Sequence, residues 1–256
     1  MDYIVPMPMN ARRVQEYTHD YDVDLDQSII IENGAGRAVA MGMLAFRGQR
    51  AWITRLGVCP DQRGRKLGDY VMDELLRRAR ERGAKAVQLE VIVGNDPAAR
   101  LFIKKGFSFN RELLILSRPP AAATTTPAPD FSIASLSETE ILTSLQTRTC
   151  ASSWLDDTES LVNTGHLVGF RASHANGSVG WLICKKSRFQ LSHFALDVSG
   201  DCPHETILAL LDTLHRSYPT QDTKFENLDA LSPALSAFLN AGYIEVFRRT
   251  EMVLSL

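Results

Sequence analysis

The chain has 256 residues, a formal charge of −2, 45% apolar and 23% charged residues. That length suits one large domain or two ordinary ones, and the composition is that of a globular protein in water. No apolar run approaches the roughly 20 residues that span a bilayer, and MDYIVPMPMNARR lacks the cationic start and apolar stretch of a signal peptide. The expected location is cytoplasmic, without a membrane partner. Cys59, Cys150, Cys184 and Cys202 form no CxxC pair, so buried free thiols are expected rather than a metal site or a disulfide framework.

In chain order, NARRVQEYTHDY predicts a short helix starting near Met9. QSIII is a strand and NGAG a turn. RAVAMGMLAF and RAWITRLGV follow as strands joined by RGQR, a hairpin signal. DQRGRKLG comes next, with three cations and two glycines in one loop. After it, Leu67, Val71, Leu75, Leu76 and Ala79 share one face of a helix. Arg77, Arg78, Arg80 and Arg82 suit the negative end of its dipole, and Gly83 is a natural stop. KAVQLEVIV is a strand with Val87, Leu89, Val91 and Val93 on one face and Gln88 and Glu90 on the other. GNDPAARLFIKKG predicts a capped helix with proline in its first turn, and FSFNRELLILSR closes this part as one or two strands.

PPAAATTTPAP, residues 119–129, has no apolar periodicity and four prolines, which predicts an extended linker. It separates an N-terminal domain, 1–118, from a C-terminal one, 130–256. The first carries 19 Lys and Arg against 15 Asp and Glu; the remainder of the chain carries 9 against 15. The C-terminal part repeats the same order more faintly. DFSIASL, HLVGFRA, SVGWLICKK and FQLSHFALDV are strands, PHETILALLDTLHRSY is a helix, and SPALSAFLNAG precedes the final strand of IEVFRRTEMVLSL. The two endings, AARLFIKKGF…ELLIL and ALSAFLNAGY…EMVLSL, match each other, as in a tandem duplication.

A helix start exposes unpaired N–H groups and about half a positive charge. Glycines before it let an anion approach the backbone. The loop at 61–68 therefore asks for a phosphate or pyrophosphate, although neither the GxxxxGK[ST] nor the GxGxxG spacing is present. Slightly negative net charge and no helix that is basic throughout argue against nucleic acid as a partner.

Strand RAWITRLGV, Pro60, the basic loop, its helix, strand QLEVIV, Asn95, a second helix and Lys105-Gly106-Phe107 together resemble the GNAT superfamily of acyl-CoA-dependent N-acyltransferases. Arg63 opens the family's motif and Gly68 closes it. The resemblance covers residues 28–118 well and the second half only in outline. It implies an α/β (α+β) chain of two tandem GNAT-like domains, each a mixed, mostly antiparallel sheet flanked by helices, the second degenerate.

The resemblance further implies that acetyl-CoA is the cosubstrate, without a metal. Its pyrophosphate would bind amides from Arg63, Gly64, Arg65, Lys66, Leu67 and Gly68. Its arm would run near Leu56 and Val58, with Asn95 touching it and Phe102 beside it. Lys66 stands where the motif has its middle glycine. Phe102 stands where many members have a tyrosine that protonates the leaving thiolate; water held by Asn95, a second catalytic candidate, would serve instead. Glu90 is the candidate base, and Asp22 and Asp24 are candidates for an acceptor mouth that favours a cationic amine. The expected reaction is acetyl transfer to a primary amine by direct attack in a ternary complex. The acceptor would be a small molecule or peptide and the protein a monomer or homodimer. A catalytically weak acyl-CoA sensor or interaction module is the rival expectation.

Overall fold

The computed structural model describes residues 10–121 and 130–256. The expected linker therefore lies mostly outside the described residues. The chain divides into two units. The first comprises the described residues up to Arg111 with Arg249–Leu256, and the second is Glu112–Arg248.

In the first unit, helix α1 (Ala11–Asp20) begins at Asn10, whose side chain accepts from the Arg13 amide. Strands β1 (Val23–Glu32), β2 (Ala38–Arg47) and β3 (Arg50–Val58) form an antiparallel meander. Helix α2 (Leu67–Glu81) crosses over to β4 (Ala86–Ile92), which pairs parallel with β3. Helix α3 (Asp96–Lys104) leads to β5 (Ser108–Arg118). The sheet is completed from the far end of the chain: the last residues of β11 (Ile244–Ser255), Arg249–Ser255, run antiparallel to β4. Sequence reasoning had grouped these residues with the second half.

One face of this sheet buries the core. Ala51, Ile53, Val87, Leu89, Val91 and Met252 pack against Val71, Met72, Leu75 and Ala79 of α2. The 3.6-residue spacing on the helix and the alternation on the strands meet there. Gly42 lets α2 seat closely, because a Cβ at that position would stand 2.7 Å from Val71 and Leu75 side-chain atoms.

The second unit contains β6 (Phe131–Ser135), α4 (Glu138–Gln146), α5 (Thr158–Thr164), β7 (Leu167–His174), β8 (Val179–Lys186), β9 (Gln190–Ser199), α6 (Pro203–Ser217), β10 (Asp222–Asp229) and α7 (Leu235–Asn240). Its sheet runs β6-β7-β8-β9-β10-β5, with only β9 and β10 parallel. β5 contributes Leu113–Arg118 as the partner of β10. Both units are thus mixed, mostly antiparallel sheets flanked by helices. Each takes its last strand from the other half of the sequence.

Candidate active site

Strands β3 and β4 part company early. Their paired residues run from Arg50 and Ala86 to Trp52 and Gln88, and no further. Beyond that point β3 follows β2 as far as Val58, while β4 follows β11 as far as Ile92. A bulge accompanies the fork. Thr54 pairs with Met43 and Gly57 with Met41, leaving Arg55 and Leu56 opposite Gly42. Arg55 takes φ 54, a left-handed conformation that costs a non-glycine residue about 1–2 kcal/mol. A bulge of this kind bends its strand and re-aims the groups that follow, here Leu56, Gly57 and Val58.

The predicted anion loop lies directly after β3. A short 3-10 turn, Pro60–Gln62, is followed by Gly64 at φ 76 and Lys66 at φ 62, and α2 starts at Leu67. No side chain caps this helix. Among the described residues, nothing accepts from the N–H groups of Gly64 to Asp69; the first amide bonded back is that of Tyr70, to Lys66 O. Gly68 sits between two side chains, its position for a Cβ being 3.3 Å from Leu101 Cδ2 and 3.8 Å from Val58 Cγ2. Arg63, Arg65 and Lys66 are exposed around the loop. The nearby acid Asp61 is held well below the usual carboxylate range by hydrogen bonds from Gln62 and Arg37.

At the next strand end, Asn95 occupies the N-cap of α3, yet its side chain makes no capping bond. Its carboxamide is half-buried and free for another partner among the described residues. Phe102, two turns further on, is 5% exposed and packs near Phe107 at 6.2 Å between ring centroids. Its ring is part of the apolar core rather than of an open surface, which is why an aromatic without a hydroxyl suits the place.

The other face of the fork is polar. Because Ile53, Leu89 and Val91 face α2, Thr54 and Glu90 face away from it. Each lies two residues past the last β3–β4 pair. The Glu90 side chain, 7% exposed, meets the buried Arg249 guanidinium at 3.3 Å. Tyr17 of α1 reaches in from the same side. Its Oη is 2.5 Å from Thr54 Oγ1, and the Arg55 guanidinium lies 4.4 Å from the centre of its ring. Tyr21 and Trp52 pack edge-on and tilted around it. Removal from water raises the Tyr17 pKa most, and the Glu90 carboxylate raises it further; Arg55 and the Thr54 hydrogen bond act the other way.

Sequence reasoning named Glu90 from strand alternation but missed Tyr17, Arg55 and Arg249. Arg249 lies 159 residues from its partner, and no local pattern announces it. Tyr17 could have been noticed as the aromatic that follows the charged half of α1. Asp22 and Asp24 are engaged elsewhere. Asp22 Oδ2 accepts from Nε of the buried Arg47 at 2.8 Å. Asp24 Oδ1 accepts from the Asp26 and Gln27 amides, filling the irregular stretch of β1 between Asp24 and Ile29. YDVDLD is thus the start of an edge strand and its turn chemistry, not a row of free carboxylates.

The corresponding place in the second unit offers fewer open amides. β9 also carries a bulge, with His193 at φ 53. The loop before α6, however, is filled in part by the chain itself. The Cys202 amide donates to Ser178 Oγ at 3.2 Å, and Pro203 has no N–H to offer. Trp154 and Ser153, both buried, belong to a turn packed on β9 and β10, and Asn227 Nδ2 donates to Ser153 Oγ at 3.1 Å.

Among the described residues, no helix is long and apolar enough to cross a membrane, and no group of three or more His, Cys, Asp or Glu is placed to hold a metal ion. Residues 3–109 match the sequence model of the acetyltransferase (GNAT) family. No curated protein matches the sequence. A GCN5-related N-acetyltransferase from Sphaerobacter thermophilus superposes with a TM-score of 0.72 at 16% identity, over 96% of this chain and 85% of that one. A tandem GNAT protein from the clavulanic acid biosynthesis pathway gives 0.60 at 16% identity, over 88% and 81%. At such identities the likeness is one of fold.

Proposed function

Because residues 3–109 carry a GNAT acetyltransferase domain, we propose that the protein transfers an acetyl group from acetyl-CoA to a primary amine, by direct attack in a ternary complex. The observation that carries this reading is the uncapped start of α2, with the amides from Gly64 to Asp69 open beside three cations. An anion there meets several N–H donors and the positive end of a helix at once. Arg63 to Gly68 would hold the diphosphate. The bulged end of β3, Leu56 to Val58, would line the arm, and the Asn95 carboxamide would touch it. Phe102 supports this surface from within the core.

When bound, the cosubstrate supplies an activated thioester carbonyl. The chain supplies placement and proton handling. An alkyl amine with pKa about 10.4 is neutral in only about one molecule in two thousand at pH 7. Glu90, on the polar face of the fork, is the proposed base for the attacking nitrogen. Direct attack suits a loop whose nearest cysteine, Cys59, directly precedes Pro60 at the strand end. The reading takes a small-molecule or peptide amine as acceptor, in a cytoplasmic monomer or homodimer, with neither nucleic acid nor membrane as partner.

Calorimetry with acetyl-CoA, followed by an amine panel with thiol detection, tests it. Saturable binding with amine-dependent thiol release is expected. Tight binding with no turnover on any amine supports the sensor reading instead, and no binding ends both. Glu90→Gln is expected to lower turnover and leave acetyl-CoA affinity nearly intact.

A further inference from the structure

We infer that Tyr17 is the proton donor to the departing thiolate, taking the role that Phe102 cannot fill; this rests on the acyl-transfer reading above. Phe102 has no hydroxyl and its ring lies in the core. The fork itself presents another phenol. Thr54 on β3 and Glu90 on β4 stand at equal depth on the two prongs, each two residues past the last shared pair. Tyr17 Oη is anchored to the first at 2.5 Å and feels the charge of the second. Its hydroxyl is thus held at the place where the two strands separate.

Burial disfavours the phenolate, and two neighbours work against that cost. Arg55 lies 4.4 Å from the ring centre, where a cation steadies phenolate. Thr54 Oγ1 can donate to the oxygen once its proton is gone, since a hydroxyl both donates and accepts. The charged and titratable groups facing the phenol are Arg55 from β3 and Glu90 from β4, with Tyr21 beside it on α1. The balance closes within the site. The amine nitrogen forms its bond to the carbonyl carbon and loses a proton to Glu90. The carbon–sulfur bond breaks with its electron pair on sulfur. Tyr17 Oη–H protonates that sulfur, and the proton on Glu90 restores the phenol. No oxidant or further reactant is needed.

The experiment compares Tyr17→Phe with the full-length wild type. Phenylalanine keeps the packing on Tyr21, Trp52 and Arg55 and removes the hydroxyl alone. Loss of one positioned proton donor is expected to lower kcat about a hundredfold, with acetyl-CoA affinity by calorimetry within about twofold. Thr54→Val is the companion variant. It removes the anchor but leaves the phenol, so it should cost much less in kcat. Replacing Tyr17 with a fluorinated tyrosine, a more acidic phenol, should shift the alkaline limb of kcat to lower pH, a readout that packing cannot produce. Equal kcat in wild type and Tyr17→Phe overturns the inference while leaving acyl transfer standing. A wild type that releases no thiol with any amine overturns both.

Discussion

Two helix starts separate the units. α2 and α6 each have 15 residues, and each follows a bulged strand and leads to a parallel partner. At α2, Gly64 and Lys66 turn through left-handed conformations, and the amides that follow face no acceptor. At α6, Ser178 takes the Cys202 amide and Pro203 removes the next donor. Gly200 passes so close that a Cβ there would stand 2.5 Å from Ser178. The same fold can leave the loop and first turn of a helix open to a ligand or fill part of that place from within. What decides is a few loop residues, not the sheet or the helix. A fold match alone would not have told the two apart.

The widest break in this comparison comes from removing the chain end. Each unit depends on a strand from the other half of the sequence, so neither half is self-sufficient. A chain ending at Arg118 lacks the seven β11 residues that pair with β4. It also lacks Met252, 3% exposed in the core, whose burial alone is worth about 2–5 kcal/mol by truncation. The expected outcome is a first unit that does not fold cooperatively, seen as loss of a sharp thermal transition and of acetyl-CoA binding together. A truncated chain with native-like melting would show that β11 is an accessory.

Next in size is Gly68→Glu. The new carboxylate would sit among the α2 amides, and its Cβ would press on Leu101 at 3.3 Å. Repulsion of a phosphate by a charge a few ångströms away is expected to weaken acetyl-CoA binding at least about a hundredfold. The matching change in the other unit, Ser178→Ala, should cost about 1 kcal/mol of stability as a lost cap and leave acetyl-CoA affinity unchanged. Calorimetry on both variants tests the contrast directly. Equal losses of affinity would mean that α6 also takes part.

Acid should part the units further. His215 on α6 is 3% exposed, and burial, with Arg118 adding to it, pushes its pKa down to about 4. The unfolded chain binds this proton near pH 6.5, the folded one only near 4. Stability of the second unit is therefore complete above about pH 6.5 and falls as the pH drops toward 4, by up to about 3 kcal/mol. Melting followed from pH 7 to 4.5 should show this loss in the wild type and a flatter profile in His215→Phe. An identical acid profile in both would remove His215 as the cause.

The features that sequence could reveal are the local ones. The apolar face of α2, the alternation that sets Glu90 apart from Leu89 and Val91, and the Gly-rich cationic loop all follow from periods of a few residues. The tandem order was legible for the same reason. Three things were not. The exchange of last strands depends on pairing between β4 and residues 249–255, which local patterning does not encode. The bulge at Arg55 puts an arginine where a glycine would be expected, so no breaker residue marks it. Asp22 and Asp24 looked available because composition cannot show that Arg47 and two backbone amides already hold them.

The smallest effect sharpens the comparison most finely, at Lys66. Its φ of 62 is the conformation that the family's glycine would adopt freely. Holding a side chain there costs about 1–2 kcal/mol, part of which is offset because glycine loses more freedom on folding. Lys66→Gly should therefore raise stability by about 0.5–1 kcal/mol, a shift of a few degrees or less in Tm. It also removes one exposed cation from the anion loop, worth about 0.3–1 kcal/mol near a helix start, so acetyl-CoA affinity should fall no more than about fivefold. Lys66→Ala separates the two contributions. Alanine loses the charge but keeps the strained backbone, so its affinity should match that of the glycine variant while its stability does not rise. If glycine instead tightened binding, loop geometry rather than charge would be what limits the grip of α2 on its anion.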